Sequence, residues 1–236
     1  MQLGCASSPP AQRGLRPGTR LLAWFALAGV IAYVGIDVLL RFLRPGYSLL
    51  YNAESDYGRG PWYWVMDLNF LLRCALSLAV ALALALAVRP GVRARGGLVL
   101  IAIWAVCSGL LAFFADDLEG QPVHGSGIVH LALALIAFPC IAVGTIWVSA
   151  SLRSDPAWRS PVTVLLPVSL AGAAAFLLLG AAFGHKHAPG GLYERIFLGL
   201  ELLWIALAAG FILRMRPPAR DVASGATGQL AERQGS

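Results

Sequence analysis

Six apolar runs, each of roughly 20 residues, follow one another along this chain, and that is the length a helix needs to cross the hydrocarbon core of a bilayer. Lipid offers no hydrogen bonds. A backbone placed there must satisfy its own N–H and C=O groups, which leaves helices or closed barrels. Continuous apolar runs lack the alternation of a barrel strand, so the chain reads as an all-α polytopic membrane helical bundle with six transmembrane helices. The spans are expected near 21–43, 62–88, 98–115, 128–149, 162–183 and 192–213. The domain organisation that follows is a cytoplasmic tail over 1–20, a single bundle over 21–213 and a second cytoplasmic tail over 214–236. Both tails are polar and expected to be disordered. Pro139 and Pro167 fall inside spans 4 and 5 and should bend them. Gly180 and Gly184 form a small-residue pair suited to close helix approach.

Charge orients the bundle. The tails and the second and fourth loops carry Arg13, Arg16, Arg20, Arg89, Arg93, Arg95, Arg153, Arg159, Arg214, Arg216 and Arg220, while the third and fifth loops carry only Lys186. The positive-inside rule then puts both termini in the cytoplasm and makes this a multi-pass protein of the plasma membrane. The net charge of +6 is explained by this pattern and implies no nucleic-acid partner. Cys74, Cys107 and Cys140 lie within spans, and with Cys5 they form no C-x-x-C, which argues against a disulfide framework, a thiol-redox motif or a zinc cluster.

Ionisable residues are costly in hydrocarbon and mark candidate functional positions. Counted along their spans at about 1.5 Å per residue, Asp37, Asp67, His130, Glu194 and Arg195 fall in the outer third. Arg73 and Glu201 fall near the midplane, and the inner half of every span is free of charge. This asymmetry points to a polar pocket open outward and sealed below. Arg73 and Glu201 are expected to form an intramembrane ion pair, since each alone would be expensive to bury. Asp56, His130, Glu194 and Arg195 are expected to cluster, with Arg195 pairing an acid.

The first loop holds "NAESDYGRGPWYW" (52–64). Its aromatics suit the membrane interface. Gly58 and Gly60 permit a tight turn, Pro61 suits a first helical turn, and Ser55 or Asp56 is placed to cap a short one. The motif reads as a lid, with Glu54 and Asp56 directed into the mouth of the pocket. The acidic "ADDLEG" (115–120) reads as a solvated loop.

These residues resemble a known family. "RPGYSLLYNAESDYGRGPWYW", "FFADDLEGQPVHGSGIVH" and "GGLYERIFLGLELLW" are similar to motifs of the bacterial membrane family DUF998, over about 21–213. The resemblance implies a six-helix membrane protein and no established activity, substrate or cofactor. By matching motif it singles out Ser55, Asp56, Gly58, His130, Glu194 and Arg195. The first motif departs at Glu54, where the pattern has an apolar residue.

No G-x-S-x-G and no Gly-rich phosphate loop is present, so no catalytic residue is assigned. The leading reading is a protein with an outward polar pocket, lined by Asp37, Ser55, Asp56, Asp67, His130, Glu194 and Arg195. It would bind a small molecule or lipid headgroup in a sensing or accessory role. An intramembrane metal-dependent lipid hydrolase is the alternative. There zinc would be held by His130 with Asp37, Asp67 or His187, and Glu194 would be the general base. His124, His130, His185 and His187 all lie toward the outer side, but their spacing specifies no metal site. A proton-coupled transporter using Glu201 and His130 is the second alternative, disfavoured by the absence of an inner polar path. The orientation is testable: a cytoplasm-dependent reporter fused after Ser236 is expected to be active, and activity confined to the outer compartment would overturn it.

Overall fold

The computed structural model describes residues 15, 17–117, 125–183, 185 and 187–215. The expected tails, apart from Leu15, 17–20 and 214–215, lie outside the described residues, as do Glu119, His124, Gly184 and Lys186. Six helices form the fold: α1 (Pro17–Leu43), α2 (Tyr63–Ala87), α3 (Arg95–Leu110), α4 (Gly125–Leu152), α5 (Arg159–Ala182) and α6 (Gly190–Arg214). Each belongs to a segment long and apolar enough to cross a membrane, and no strand is present among the described residues. Short 3₁₀ turns sit at Ser55–Gly58, Leu111–Phe113 and Pro156–Trp158.

Each helix packs on its neighbours in sequence, and α1 closes the ring against α6. α2 and α6 also meet across the middle. Half of the apolar window is buried in these two helices, against 28% in α1 and α5, so α2 and α6 are the central pair. That explains why the deep ionisable residues sit on α2 and α6: a charge there faces protein rather than lipid.

Lipid tails are as apolar as leucine, so the hydrophobic effect gives little reason for helices to associate. Close packing and interhelical hydrogen bonds must do it. At the α3–α4 contact Gly97 and Gly144 lie against each other. A β-carbon on Gly97 would sit 2.8 Å from Val148 Cγ2 and 2.9 Å from the Gly144 carbonyl. Tryptophans add directional bonds. Trp204 Nε1 of α6 donates to Ser149 Oγ of α4 at 2.9 Å, and Trp104 Nε1 of α3 donates to Ser77 Oγ of α2 at 3.2 Å.

Helix ends differ from the sequence reading by up to five residues, most at the start of α1 and the end of α3. α1 begins at Pro17, four residues earlier than expected, because its polar first turn is packed: Thr19 is fully buried, and Arg20 Nη1 donates to Met215 O at the end of α6 (3.1 Å). α3 ends at Leu110, not 115, because the chain tightens into a 3₁₀ turn and then extends at Phe114. Pro139 and Pro167 lie inside α4 and α5, which run on through them. Gly97→Leu is expected to destabilise the bundle by about 1–3 kcal/mol through overpacking against a backbone carbonyl. Thermal unfolding in detergent measures this, and an unchanged midpoint would show that the α3–α4 contact tolerates separation.

Candidate functional site

The loop after α1 folds back over the end of the bundle. Arg44 binds it to its own exit: Nη1 donates to Arg59 O and to Pro61 O (2.9 Å), and Nη2 donates to Tyr47 Oη (2.8 Å). Gly60 takes φ +66°, a conformation that glycine adopts without strain, and stands beside the Arg44 guanidinium. Gly58 needs no positive φ. Neither Ser55 nor Asp56 caps the 3₁₀ turn as expected, because both are engaged elsewhere.

The loop is anchored chiefly to α6. Leu192 N donates to Leu50 O at 3.1 Å, and Gly191 packs directly on the Asn52 backbone, leaving no room for a side chain. Arg195 Nη1 donates to three carbonyls: Asn52 at 2.6 Å, Gly191 at 3.1 Å and Leu49 at 3.3 Å. Arg195 was expected to pair an acid. Instead it pins the lid's main chain, since Nη1 is spent on carbonyls that the loop would otherwise leave unpaired. Its Nε and Nη2 atoms are buried without a partner, and its guanidinium lies 5.8 Å from the Tyr57 ring centroid. Asp37 Oδ1 is likewise buried without a partner, and the buried Tyr57 hydroxyl, which makes no well-formed hydrogen bond, has the Arg195 guanidinium within interaction range. Asp37 lies within electrostatic reach of both Glu54 and Arg195.

Glu54 and Asp56 point into the protein, not into an open mouth. They are 4% and 8% exposed. Glu54 Oε1 accepts a hydrogen bond from Tyr33 Oη of α1, and Glu54 N donates to Glu194 Oε2 of α6 at 3.1 Å. Tyr33 Oη in turn accepts from Arg73 Nη1 of α2 at 3.0 Å. One polar chain therefore ties the lid to α1, α2 and α6. Asp56 Oδ2 accepts from Asn52 Nδ2 at 3.1 Å, and burial pushes its carboxyl above the usual aspartate range.

A second group forms where the lid meets the α3–α4 loop. Ser55 Oγ donates to Asp116 Oδ2 at 2.9 Å, and Arg59 pairs with Asp117 at 3.5 Å. His130 Nδ1 is 2.7 Å from Phe114 O, an acceptor only, so Nδ1 carries the hydrogen. This presents His130 Nε2 to Asp116 Oδ2 at 3.7 Å. The extended backbone at Phe114 that shortened α3 is what supplies this carbonyl.

The deep ion pair does not form. Arg73 lies among aromatic rings, with its guanidinium carbon 4.9 Å from the Trp104 centroid, 5.1 Å from Phe70 and 5.7 Å from Tyr33. Ring faces and one phenol oxygen thus stand in for a carboxylate. Glu201 turns the other way, towards α5. Its Oε1 is so close to Gly172 that a β-carbon there would lie 2.6 Å away, and its nearby polar group is Thr145 of α4, whose hydroxyl donates to the Ile141 and Ala142 carbonyls and makes no well-formed bond to the carboxyl. Matching depth on two touching helices does not make two side chains face each other.

The expected cluster is thus divided. Glu194 belongs to the Tyr33–Glu54 chain, Arg195 to the lid backbone, Asp56 to Asn52, and His130 with Ser55 to Asp116. Asp67 is half-buried on α2 and joins none of these groups. Among the described residues, no three His, Cys, Asp or Glu side chains converge as a metal site, and His187 lines a separate cleft with His185 and Tyr193. Tyr33 is the network residue that sequence reasoning missed, and Asp116, expected in a solvated loop, is instead held by Ser55 beside His130. Tyr33 was legible as a phenol one helical turn before Asp37 in an apolar span.

The full set of motifs, the six helices and this lid point the same way, and a family model matches residues 26–210. The chain belongs to the family described as Protein of unknown function (DUF998). No curated protein and no solved structure matches it. Like the bundle itself, the DUF998 match includes the lid, the α3–α4 loop and nearly all of α6.

Tyr33→Phe removes the donor to Glu54 and the acceptor for Arg73 together. It is expected to lower stability by about 1–3 kcal/mol, the usual cost of stranding buried polar groups. It should also make the lid more accessible to protease. Wild-type stability and protection in this variant would show the chain to be energetically idle.

Proposed function

We propose that this DUF998 protein is a ligand-binding or sensing protein of the bacterial plasma membrane. Both termini would lie in the cytoplasm, and the lid over 44–62 would cover an outward-facing site for a lipid headgroup or a small zwitterion. The carrying observation is the unused edge of Arg195. Three carbonyls hold Nη1, which fixes the guanidinium and leaves the Nε–Nη2 edge buried without a partner. That edge is the fork that takes a carboxylate or phosphate through two parallel hydrogen bonds. The Tyr57 hydroxyl, within interaction range of the same guanidinium, and the unpartnered Asp37 Oδ1 supply a neutral donor–acceptor and an anionic acceptor in the same region. A phosphate bearing an ammonium or hydroxyl meets all three. The arginine-rich second and fourth loops support the orientation.

In this reading the lid must loosen for the ligand to enter, and its bonds to α6 are the gate. The hydrolase alternative lacks three converging ligands among the described residues.

The test uses the full chain in detergent with phosphoethanolamine, glycerol 3-phosphate or acetate as probes. Phosphoethanolamine at a hundredfold excess over its Kd is expected to raise the unfolding midpoint by about 5–10 °C. Arg195→Lys keeps the charge and loses the fork, so it should abolish most of the rise. No shift with any probe, or an equal shift in Arg195→Lys, would overturn the proposal.

A further inference from the structure

At the opposite end of the bundle from the lid, a cleft of about 320 Å³ opens between the α4–α5 turn and α5. It is lined by Arg153, Arg159, Val162, Thr163, Leu166 and Pro167. Five of these share one face of α5, because 159, 162, 163, 166 and 167 follow the spacing of a single helical stripe. The stripe starts with a cation at the first residue of the helix and descends over apolar side chains for about 12 Å, at 1.5 Å per residue. Arg153 adds a second exposed cation from the turn.

Neither arginine is neutralised. Asp155, the one acid between them in sequence, is 1% exposed and directed elsewhere. It accepts from Ala157 N at 3.1 Å and Arg89 N at 3.2 Å, and its Oδ1 lies 3.8 Å from Arg89 Nε. Among the described residues no ion pair or hydrogen bond engages the Arg153 or Arg159 guanidinium. Pro167 has no N–H, so the Thr163 carbonyl one turn above it lacks its helix donor. The cleft thus combines two free guanidinium groups at its rim, a carbonyl below them that Pro167 deprives of its regular helix donor, and an apolar floor.

We propose that this cleft is a binding site for one anionic phospholipid. Arg153 and Arg159 hold the phosphate, the Thr163 carbonyl accepts a headgroup or glycerol hydroxyl, and an acyl chain lies along Val162, Leu166 and Pro167. A soluble phosphate would leave the apolar floor uncovered, and a zwitterionic lipid would bring a cation against two arginines. The stripe fits a molecule that is anionic at one end and apolar along the rest. The site stands apart from the lid and does not depend on the reading given for Arg195.

Native mass spectrometry of the detergent-purified full chain tests it, with phosphatidylglycerol and phosphatidylcholine as probes. Phosphatidylglycerol should bind in preference, and Arg153→Gln/Arg159→Gln should weaken it about 30-fold, the sum of two interfacial charges. Arg93→Gln/Arg95→Gln, which removes equal charge from the neighbouring loop, should leave binding within about twofold. Leu166→Trp fills the groove without touching charge and should also lose the lipid, which keeps the test decisive if the double variant does not fold. Equal binding of phosphatidylcholine, an equal loss in the 93/95 variant, or full binding by Leu166→Trp would each overturn the proposal. So would displacement of phosphatidylglycerol by equimolar glycerol 3-phosphate, because that would assign the cleft to free phosphate.

Discussion

Glu54 enters the bundle on a backbone that donates to Glu194, while its side chain accepts from Tyr33, and this arrangement holds the lid end of the molecule in register. A carboxylate buried to 4% exposure must be hydrogen-bonded, or the cost would open the loop. The partners of Glu54 come from different helices. Tyr33 belongs to α1 and is itself held by Arg73 of α2, while Glu194 belongs to α6. Satisfying one buried acid therefore fixes three helices and the loop at once. The lid is less a flap on the surface than the polar top of the core.

The same logic explains what the central helices carry. α2 and α6 have the most protein around them, and they hold the Arg73 guanidinium and the Glu201 carboxyl deep in their spans. Arg73 and Glu201 are accommodated separately. Aromatic faces and a phenol serve the cation, and a glycine on α5 makes room for the acid. In lipid, where apolar burial adds little, such particular contacts and close glycine approaches decide which helix faces meet.

The two ends of the bundle are chemically different. The lid end concentrates acids, a histidine and aromatics in a packed network, whereas the opposite end carries exposed arginines beside an apolar groove. Sequence reasoning found the first asymmetry by depth alone. It placed Asp56, His130, Glu194 and Arg195 at one end but assigned them to one another. The partners it could not see were backbone atoms: the Phe114, Asn52 and Leu49 carbonyls and the Glu54 N–H. Every residue has such groups, so no residue type signals which will be left free to bind a side chain. Glu54, the one position where the first motif departs from the family pattern, is the loop residue that joins Tyr33 of α1 to Glu194 of α6.

Apolar run length determined six helices, and the arginine distribution gives their expected orientation, because bilayer thickness and interfacial charge act on composition along the chain. The DUF998 family was also legible, since its motifs are short and local. Only the tertiary structure decided the pairings. Whether Arg73 meets Glu201 or Tyr33 depends on helix rotation, and rotation is set by packing between neighbours distant in sequence. Whether Arg195 keeps an edge free depends on where a loop's carbonyls fall. Depth is a one-dimensional property that a sequence carries. Azimuth around a helix, and the use made of the backbone, exist only once the helices are assembled.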